Sequence, residues 1–128
     1  MSQNNDESRR YAIRIQPRAE RDIEAHTVRM AELAGPDTAR AWYEAIFDVV
    51  ATLAQNPRRY AIVRENNRFR REVRQLLYRR TPQGPAWRIL YTVDEGTEDG
   101  PTVHLLHVRH GAQRPITQAE AREIEADR

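Results

Sequence analysis

Hydrophobic and polar positions follow different periods in the first and second halves of the chain. Residues 11–16 alternate apolar and polar side chains, which is typical of a β-strand. The two segments that follow carry apolar residues three and four positions apart, which indicates amphipathic helices. The first helix is predicted over 18–34, because Pro17 suits the first turn of a helix and Gly35-Pro36 ends the pattern.

The second helix has the clearest apolar stripe in the chain. We expect Asp37 or Thr38 to cap its start and Asn56-Pro57 to stop it. Because the joint between the two helices is short, the sequence predicts an antiparallel helical hairpin. The stripe consists of Trp42, Ile46, Val49, Val50 and Leu53.

The second half of the chain returns to strand patterns. No clean period is present over 58–71, which predicts a loop with at most a short strand near Ile62-Val63. Turn-forming residues then separate segments rich in apolar and β-branched side chains, so a meander of antiparallel strands is expected. These strands are predicted over 72–80, 87–94 and 102–112.

The chain ends in a pattern for a short helix. Thr117 is placed to cap it and Glu120 follows three positions later, as in a capping box, so a helix is predicted to about Ala126. Its apolar positions are few, which leaves three outcomes open: docking on the domain, binding a partner, or fraying.

The fold class that follows is α+β, with the element order β-α-α-β-β-β-α. An N-terminal strand and a two-helix antiparallel hairpin are expected to pack on a small, mainly antiparallel sheet, with the first strand at one edge. One domain is predicted over 10–116. A polar, disordered lead-in is predicted over 1–9 and a helical extension over 117–128.

Arginine carries all of the basic charge. The chain has 21 arginines and no lysine, so Schiff-base chemistry and a lysine general base are excluded. The segment 58–80 holds nine arginines against Glu65 and Glu72, a net charge of +7. Such a segment predicts a surface for nucleic acid or for an acidic protein, although a solvated loop is the alternative. The arginines predicted to bind a target or partner are Arg70, Arg71, Arg74, Arg79, Arg80 and Arg114.

Other compositional features narrow the function classes. The chain has no cysteine, and no apolar run approaches the roughly 20 residues that span a bilayer. We therefore expect a cytoplasmic protein with no membrane partner. His104, His107 and His110 recur every third residue, but along a strand the first two face opposite sides, so no metal site and no cofactor are predicted.

Two strand-end motifs, Arg-Ile-Leu-Tyr-Thr-Val-Asp at 88–94 and His-Val-Arg-His-Gly-Ala at 107–112, accompany this order of elements. Together with Pro-Arg-Ala-Glu-Arg-Asp-Ile at 17–23 and Leu-Ala-Gln-Asn-Pro at 53–57, they resemble the RelE/ParE superfamily of type II toxin–antitoxin toxins over about 11–116. The resemblance implies a small toxin held inactive by a cognate antitoxin protein. Operator DNA is then contacted only indirectly, through the antitoxin.

The superfamily has two branches, with different implied targets. RelE-like members are implied to cut mRNA on the ribosome, and in that mode Arg88 and Arg109 are the phosphate-stabilising cations and His110 the acid–base residue. ParE-like members are implied to poison DNA gyrase without a catalytic set. No tyrosine or lysine follows His110 to complete a nuclease set, which favours the ParE-like branch.

Further alternatives stay open. A degenerate toxin fold, kept as a non-toxic binding protein, is a third hypothesis for the chain. For Arg88, the alternative to a functional role is a salt bridge to Asp94 or Glu72. His104 and His107 are expected to pack or hydrogen-bond within their strand.

Overall fold

The computed structural model describes residues 10–96, 98 and 100–127, so the lead-in predicted over 1–9 lies outside the described residues. The predicted order of strands and helices is confirmed. The strands are β1 (Ala12–Ile15), β2 (Arg74–Arg79), β3 (Ala86–Asp94) and β4 (Thr102–His110). The helices are α1 (Pro17–Ala34), α2 (Pro36–Ala51) and α3 (Gln118–Ala126).

The strands form one sheet in the order β1-β4-β3-β2. β1 lies at one edge, as predicted, and runs parallel to β4, while β2, β3 and β4 form the expected antiparallel meander. β1 pairs only with residues 102–105 of β4. The rest of that edge of β4 is therefore left for contacts with α1. A register shift at Leu90/Tyr91 separates the two halves of the β3–β4 pair.

The helical hairpin covers one face of the sheet, which we call the hairpin face. Trp42 and Ile46 of α2 are fully buried there against Ile89 and Leu105 of the sheet. The joint between the helices is a single residue, Gly35, at φ 94°. Its N–H donates to Ala31 O of α1 (3.0 Å), and its carbonyl accepts from Ala39 N of α2 (3.1 Å). Glycine suits this position because other residues rarely adopt positive φ.

The start predicted for α2 is therefore wrong. Neither Asp37 nor Thr38 caps the helix, since α2 already begins at Pro36 and Gly35 is the N-cap residue. A proline at the first helical position needs no N–H and has a suitable φ, so the helix starts two or three residues earlier than a cap at Asp37 or Thr38 would place it.

The opposite face, which we call the α3 face, carries a second apolar cluster. Ile116, Ala121 and Ile124 from the C-terminal segment are buried in it, so α3 docks on the domain. The predicted capping box is confirmed: Glu120 N donates to Thr117 Oγ1 (3.1 Å), and Thr117 N donates to Glu120 Oε1 (3.0 Å). The rest of the cluster is Val63, Phe69, Val73, Leu90 and Leu106.

The segment between α2 and β2 is a loop with short 3-10 turns, as its lack of period indicates. The strand considered near Ile62-Val63 is reduced to an isolated bridge between Ile62 and Arg74. This loop brings Val63 and Phe69 under α3.

Candidate functional site

A groove of ≈ 550 Å³ opens on the α3 face, where β2 ends and β3 begins. We call it the basic groove, because Arg64, Arg79, Arg88 and His110 all line it and no described acidic residue does. It therefore brings together two of the three residues predicted as catalytic, Arg88 and His110, with one of the arginines predicted to bind a partner, Arg79.

Arg88 forms the floor of the basic groove and is only 5% exposed. Its Nη1 and Nη2 donate to the two carboxylate oxygens of Glu65 at 2.9 and 2.7 Å, and its Nε donates to Gln75 Oε1 at 2.6 Å. The partner is thus neither Asp94 nor Glu72, the two acids considered from sequence. A forked, charge-assisted pair of this kind fixes the guanidinium within the fold.

Glu65 ties three parts of the α3 face together. Besides Arg88, its carboxylate accepts a hydrogen bond from Ile116 N at 3.0 Å. Burial raises the pKa of Glu65, but the hydrogen bonds from Arg88 and Ile116 outweigh it and bring the pKa to about 2. The carboxylate stays ionised at neutral pH and keeps Arg88 paired.

Arg109, the register partner of Arg88 on β4, is 2% exposed. Its Nη2 donates to Arg114 O at 2.9 Å, its Nη1 lies 3.7 Å from Glu120 Oε2, and its Nε has no partner among the described residues. Burial lowers the pKa of Arg109. The guanidinium lies under α3, away from the basic groove.

His110 ends β4 and is half-buried. Its ring packs edge-on against Trp87 with 4.9 Å between centroids, and its Nδ1 accepts a hydrogen bond from Ala112 N at 3.0 Å. Since Nδ1 is an acceptor, the neutral imidazole carries its proton on Nε2. In this tautomer Nε2 is a hydrogen-bond donor.

Gly111 fixes the turn after His110. Its N–H donates to Ala86 O at 2.7 Å, and a Cβ at this position would lie 2.8 Å from the same oxygen. This close approach of two backbones explains why glycine follows His110.

The remaining arginines predicted to bind a partner are spread over the surface. Arg74 is largely structural, because its Nη1 donates to the carbonyls of Arg58 (3.0 Å) and Tyr60 (2.6 Å). Arg114 pairs with Glu120 (2.7 Å). Arg70 and Arg71 flank α3, and Arg80 is exposed beyond β2. Their binding roles stay predictions.

A second groove, of ≈ 310 Å³, was not predicted from sequence. It lies beside α1 and is lined mainly by apolar side chains, among them Met30, Leu33 and Trp87. We call it the apolar groove. His26 also lines it, its Nε2 donates a hydrogen bond to Val108 O (3.1 Å), and burial lowers its pKa. The only sequence signal for His26 was its place three residues after Ile23 on the apolar stripe of α1.

Two further histidines make hydrogen bonds, as expected. His104 Nδ1 lies 3.0 Å from Gln16 Nε2, and His107 Nδ1 lies 2.6 Å from Asp22 Oδ2 of α1. Within the described ranges no three His, Cys, Asp or Glu side chains are grouped as metal ligands. No described helix is long and apolar enough to cross a membrane.

The chain matches both a protein-family model and solved structures. The family model described as the ParE toxin of type II toxin–antitoxin system, parDE, matches residues 13–115. A solved structure described as the chromosomal ParDE TA system from P. aeruginosa is similar in fold, with a TM-score of 0.59 at 20% identity; the match covers 80% of this chain and 98% of that one. No curated protein sequence matches.

Proposed function

The chain belongs to the ParE toxin family of type II toxin–antitoxin systems, and we propose that it inhibits growth by binding DNA gyrase, without chemistry of its own. A cognate antitoxin protein neutralises it by covering its surface. The antitoxin, and not the toxin, contacts operator DNA.

The observation that carries the non-chemical mode is the state of the three candidate catalytic residues. Cleaving RNA needs a base, cations free to stabilise the phosphorane, and an acid. Arg88 is held by Glu65, and Arg109 lies under α3 against Glu120. His110 uses Nδ1 to accept from Ala112 N, and it lacks a second acid–base group beside it among the described residues lining the basic groove.

A RelE-like, ribosome-dependent mRNA endoribonuclease is the second candidate. It is favoured by one observation, that Arg88 and His110 both line the basic groove. The His110 ring, however, packs on Trp87, whose side chain points to the face opposite that of Arg88. This mode requires Glu65 to release Arg88 and requires Arg109 to leave α3, or to act from where it lies. Its catalytic set is Arg88, Arg109 and His110.

The antitoxin is expected to be acidic where it meets this surface. Arg64 and Arg79 line the basic groove, and Arg70, Arg71 and Arg80 extend the positive surface. Opposite charge guides such encounters and fixes their register.

Expression of the chain alone in a bacterial host, under a tight promoter, tests the proposal. We expect growth arrest with intact mRNA and with altered DNA supercoiling, and we expect His110→Ala to arrest growth equally well. Arrest with mRNA cut at codons, abolished in His110→Ala while the variant still folds, would establish the endoribonuclease instead. If the folded chain caused no arrest, the third hypothesis, a non-toxic binding protein with a degenerate toxin fold, would replace both.

A further inference from the structure

The apolar groove forms between the C-terminal part of α1 and the end of the sheet. Two side chains of α1 bond to β4 close to its end: Asp22 accepts from Val108 N (3.0 Å), and His26 donates to Val108 O (3.1 Å). β4 ends two residues later, at His110, whereas α1 continues for about two turns beyond His26. The groove lies between these last turns of α1 and the ends of the strands.

One face of α1 supplies most of the apolar side chains in the groove. Its lining residues are spaced three and four positions apart, which places them on the same side of the helix. They are His26, Arg29, Met30 and Leu33. On the sheet side, Trp87 is 7% exposed and packs edge-on against His26 and His110, with 4.7 and 4.9 Å between ring centroids. The groove therefore combines aliphatic, thioether and aromatic surface.

The only described charge fixed in this apolar lining is that of Arg29. No described acidic residue lines the groove. The Arg29 side chain is exposed, and its guanidinium makes no hydrogen bond or ion pair to any described residue. His26 does not add a second cation, because burial lowers its pKa and leaves the ring neutral at neutral pH. A guanidinium with all its donors free, beside apolar surface, complements an anion with an apolar body.

We propose that the apolar groove is a binding site for a small aromatic carboxylate. The ring lies between Leu33 and Trp87, and the carboxylate pairs with Arg29. The groove volume of ≈ 310 Å³ is near the lower end for small-molecule sites, which span roughly 300–1,000 Å³, so it suits a ligand of one or two fused rings. The inference does not rest on the antitoxin or on gyrase.

The lining favours a flat aromatic ring over an aliphatic chain. Aromatic rings prefer offset or edge-on contact with one another, and Trp87 and His110 both line the groove. The thioether of Met30 also makes favourable contacts with aromatic rings. Leu33 is 74% exposed, so a ring placed against it would remove apolar surface from water.

Titration of the purified chain with 1-naphthoate, followed by NMR, tests the site. We expect saturable binding with a Kd on the order of 1 mM or below, as is reasonable for a ligand of this size. The indole resonances of Trp87 and the ring resonances of His110 should shift, whereas those of His104, which does not line the groove, should stay in place. The uncharged 1-naphthylmethanol is the matched ligand and should bind at the same place more weakly.

Two exposed positions separate the charged from the apolar contribution. Arg29→Gln is expected to weaken 1-naphthoate at least about threefold while leaving 1-naphthylmethanol unchanged, the size of effect that an exposed ion pair allows. Leu33→Ser is expected to weaken both ligands by about threefold, because it removes apolar contact and no charge. The matched controls, Arg40→Gln on α2 and Val28→Ser on α1, lie outside the groove and should change neither Kd.

Each outcome decides a separate part of the inference. Absence of saturable 1-naphthoate binding, or binding that leaves Trp87 and His110 unshifted, would overturn the site. Equal losses in the groove variants and in the controls would overturn it as well. If Arg29→Gln weakened both ligands equally or neither, the groove would take a neutral apolar group, such as a side chain of a protein partner, and the anion would be the wrong ligand. None of these results bears on growth arrest, so the proposed function would stand or fall separately.

Discussion

The two faces of the sheet are stabilised by different kinds of contact. On the hairpin face, Trp42 and Ile46 pack on Ile89 and Leu105, and the contacts are overwhelmingly apolar. On the α3 face a smaller apolar cluster surrounds Glu65, Arg88 and Arg109, all nearly buried. Burying charge is costly unless each charge is paired. The stability of the α3 face therefore depends on specific charged partners, whereas the stability of the hairpin face depends on buried apolar area and close packing.

This difference has a functional consequence. Arg88 and Arg109, two of the residues that resemble a nuclease set, lie on the face where charge is used for folding, each beside a carboxylate. His110 lies at the end of β4 with its ring against Trp87, and it is the one of the three that is partly exposed.

Removing a large side chain from the hairpin face should give the largest loss of stability. Trp42 is fully buried, so Trp42→Ala is expected to lower the free energy of unfolding by about 3–5 kcal/mol through lost burial and a residual cavity. Urea unfolding at neutral pH measures it. Trp42→Phe, which keeps most of the packing, should cost clearly less. A loss under about 1 kcal/mol for Trp42→Ala would show that this face repacks easily.

Breaking the buried ion pair should cost nearly as much on the α3 face. Glu65→Leu leaves the Arg88 guanidinium buried without its carboxylate, for which we expect a loss of about 3 kcal/mol in the free energy of unfolding. The same urea assay applies.

The matched control replaces both partners. Glu65→Leu combined with Arg88→Met removes the unpaired charge, so most of the stability should return. If the double variant were as unstable as the single one, the hydrogen bonds to Gln75 and Ile116 would matter more than the pairing of charge.

Lowering the pH should change the stability contributed by the two faces to different extents. The pKa of Glu65 is about 2 in the fold, below its ordinary value of 4.5, so its carboxylate stabilises the protein above about pH 4.5 and this contribution is lost as pH falls toward 2. The difference in unfolding free energy between wild type and Glu65→Gln should therefore shrink over that interval. The difference for Trp42→Ala should change much less.

Glu120 titrates in the same window, because hydrogen bonds from Thr117 N and Arg114 lower its pKa to about 2. The comparison of wild type with Glu65→Gln isolates Glu65, since both proteins contain Glu120. A difference that stayed constant from pH 5 to pH 2 would contradict the role given to the Glu65 carboxylate.

How far the sequence predicts the fold also differs between the faces. The stripe Trp42, Ile46 and Val50 repeats at helical spacing, so the hairpin face was predicted correctly. Local signals of the same kind predicted the capping box at Thr117. They failed at the start of α2, where the backbone freedom of Gly35 decided the boundary and the side chains of Asp37 and Thr38 did not.

Local sequence patterns do not show which residues pair when they lie far apart in the chain. Glu65 lies 23 positions from Arg88 and 51 from Ile116, in a loop without period, so the nearer acids Glu72 and Asp94 were considered as partners and Glu65 was missed. For the same reason, the sequence did not show that Ile62, Arg64, Arg79 and His110 share a groove. Their meeting depends on the pairing of three strands.

The smallest expected effect tests whether α3 is held by its apolar contacts or by its cap. Thr117→Ala removes the hydroxyl that accepts from Glu120 N, for which we expect a loss of about 1 kcal/mol, while Thr117→Ser should restore it. Because Ile116, Ala121 and Ile124 remain buried, the loss should be confined to α3. Native-state hydrogen exchange would then show faster exchange at Ala121 and Ile124 and unchanged exchange at Ile46. Equal acceleration at Ile46 would mean that α3 opens only together with the hairpin face, and that the two faces fold as one unit.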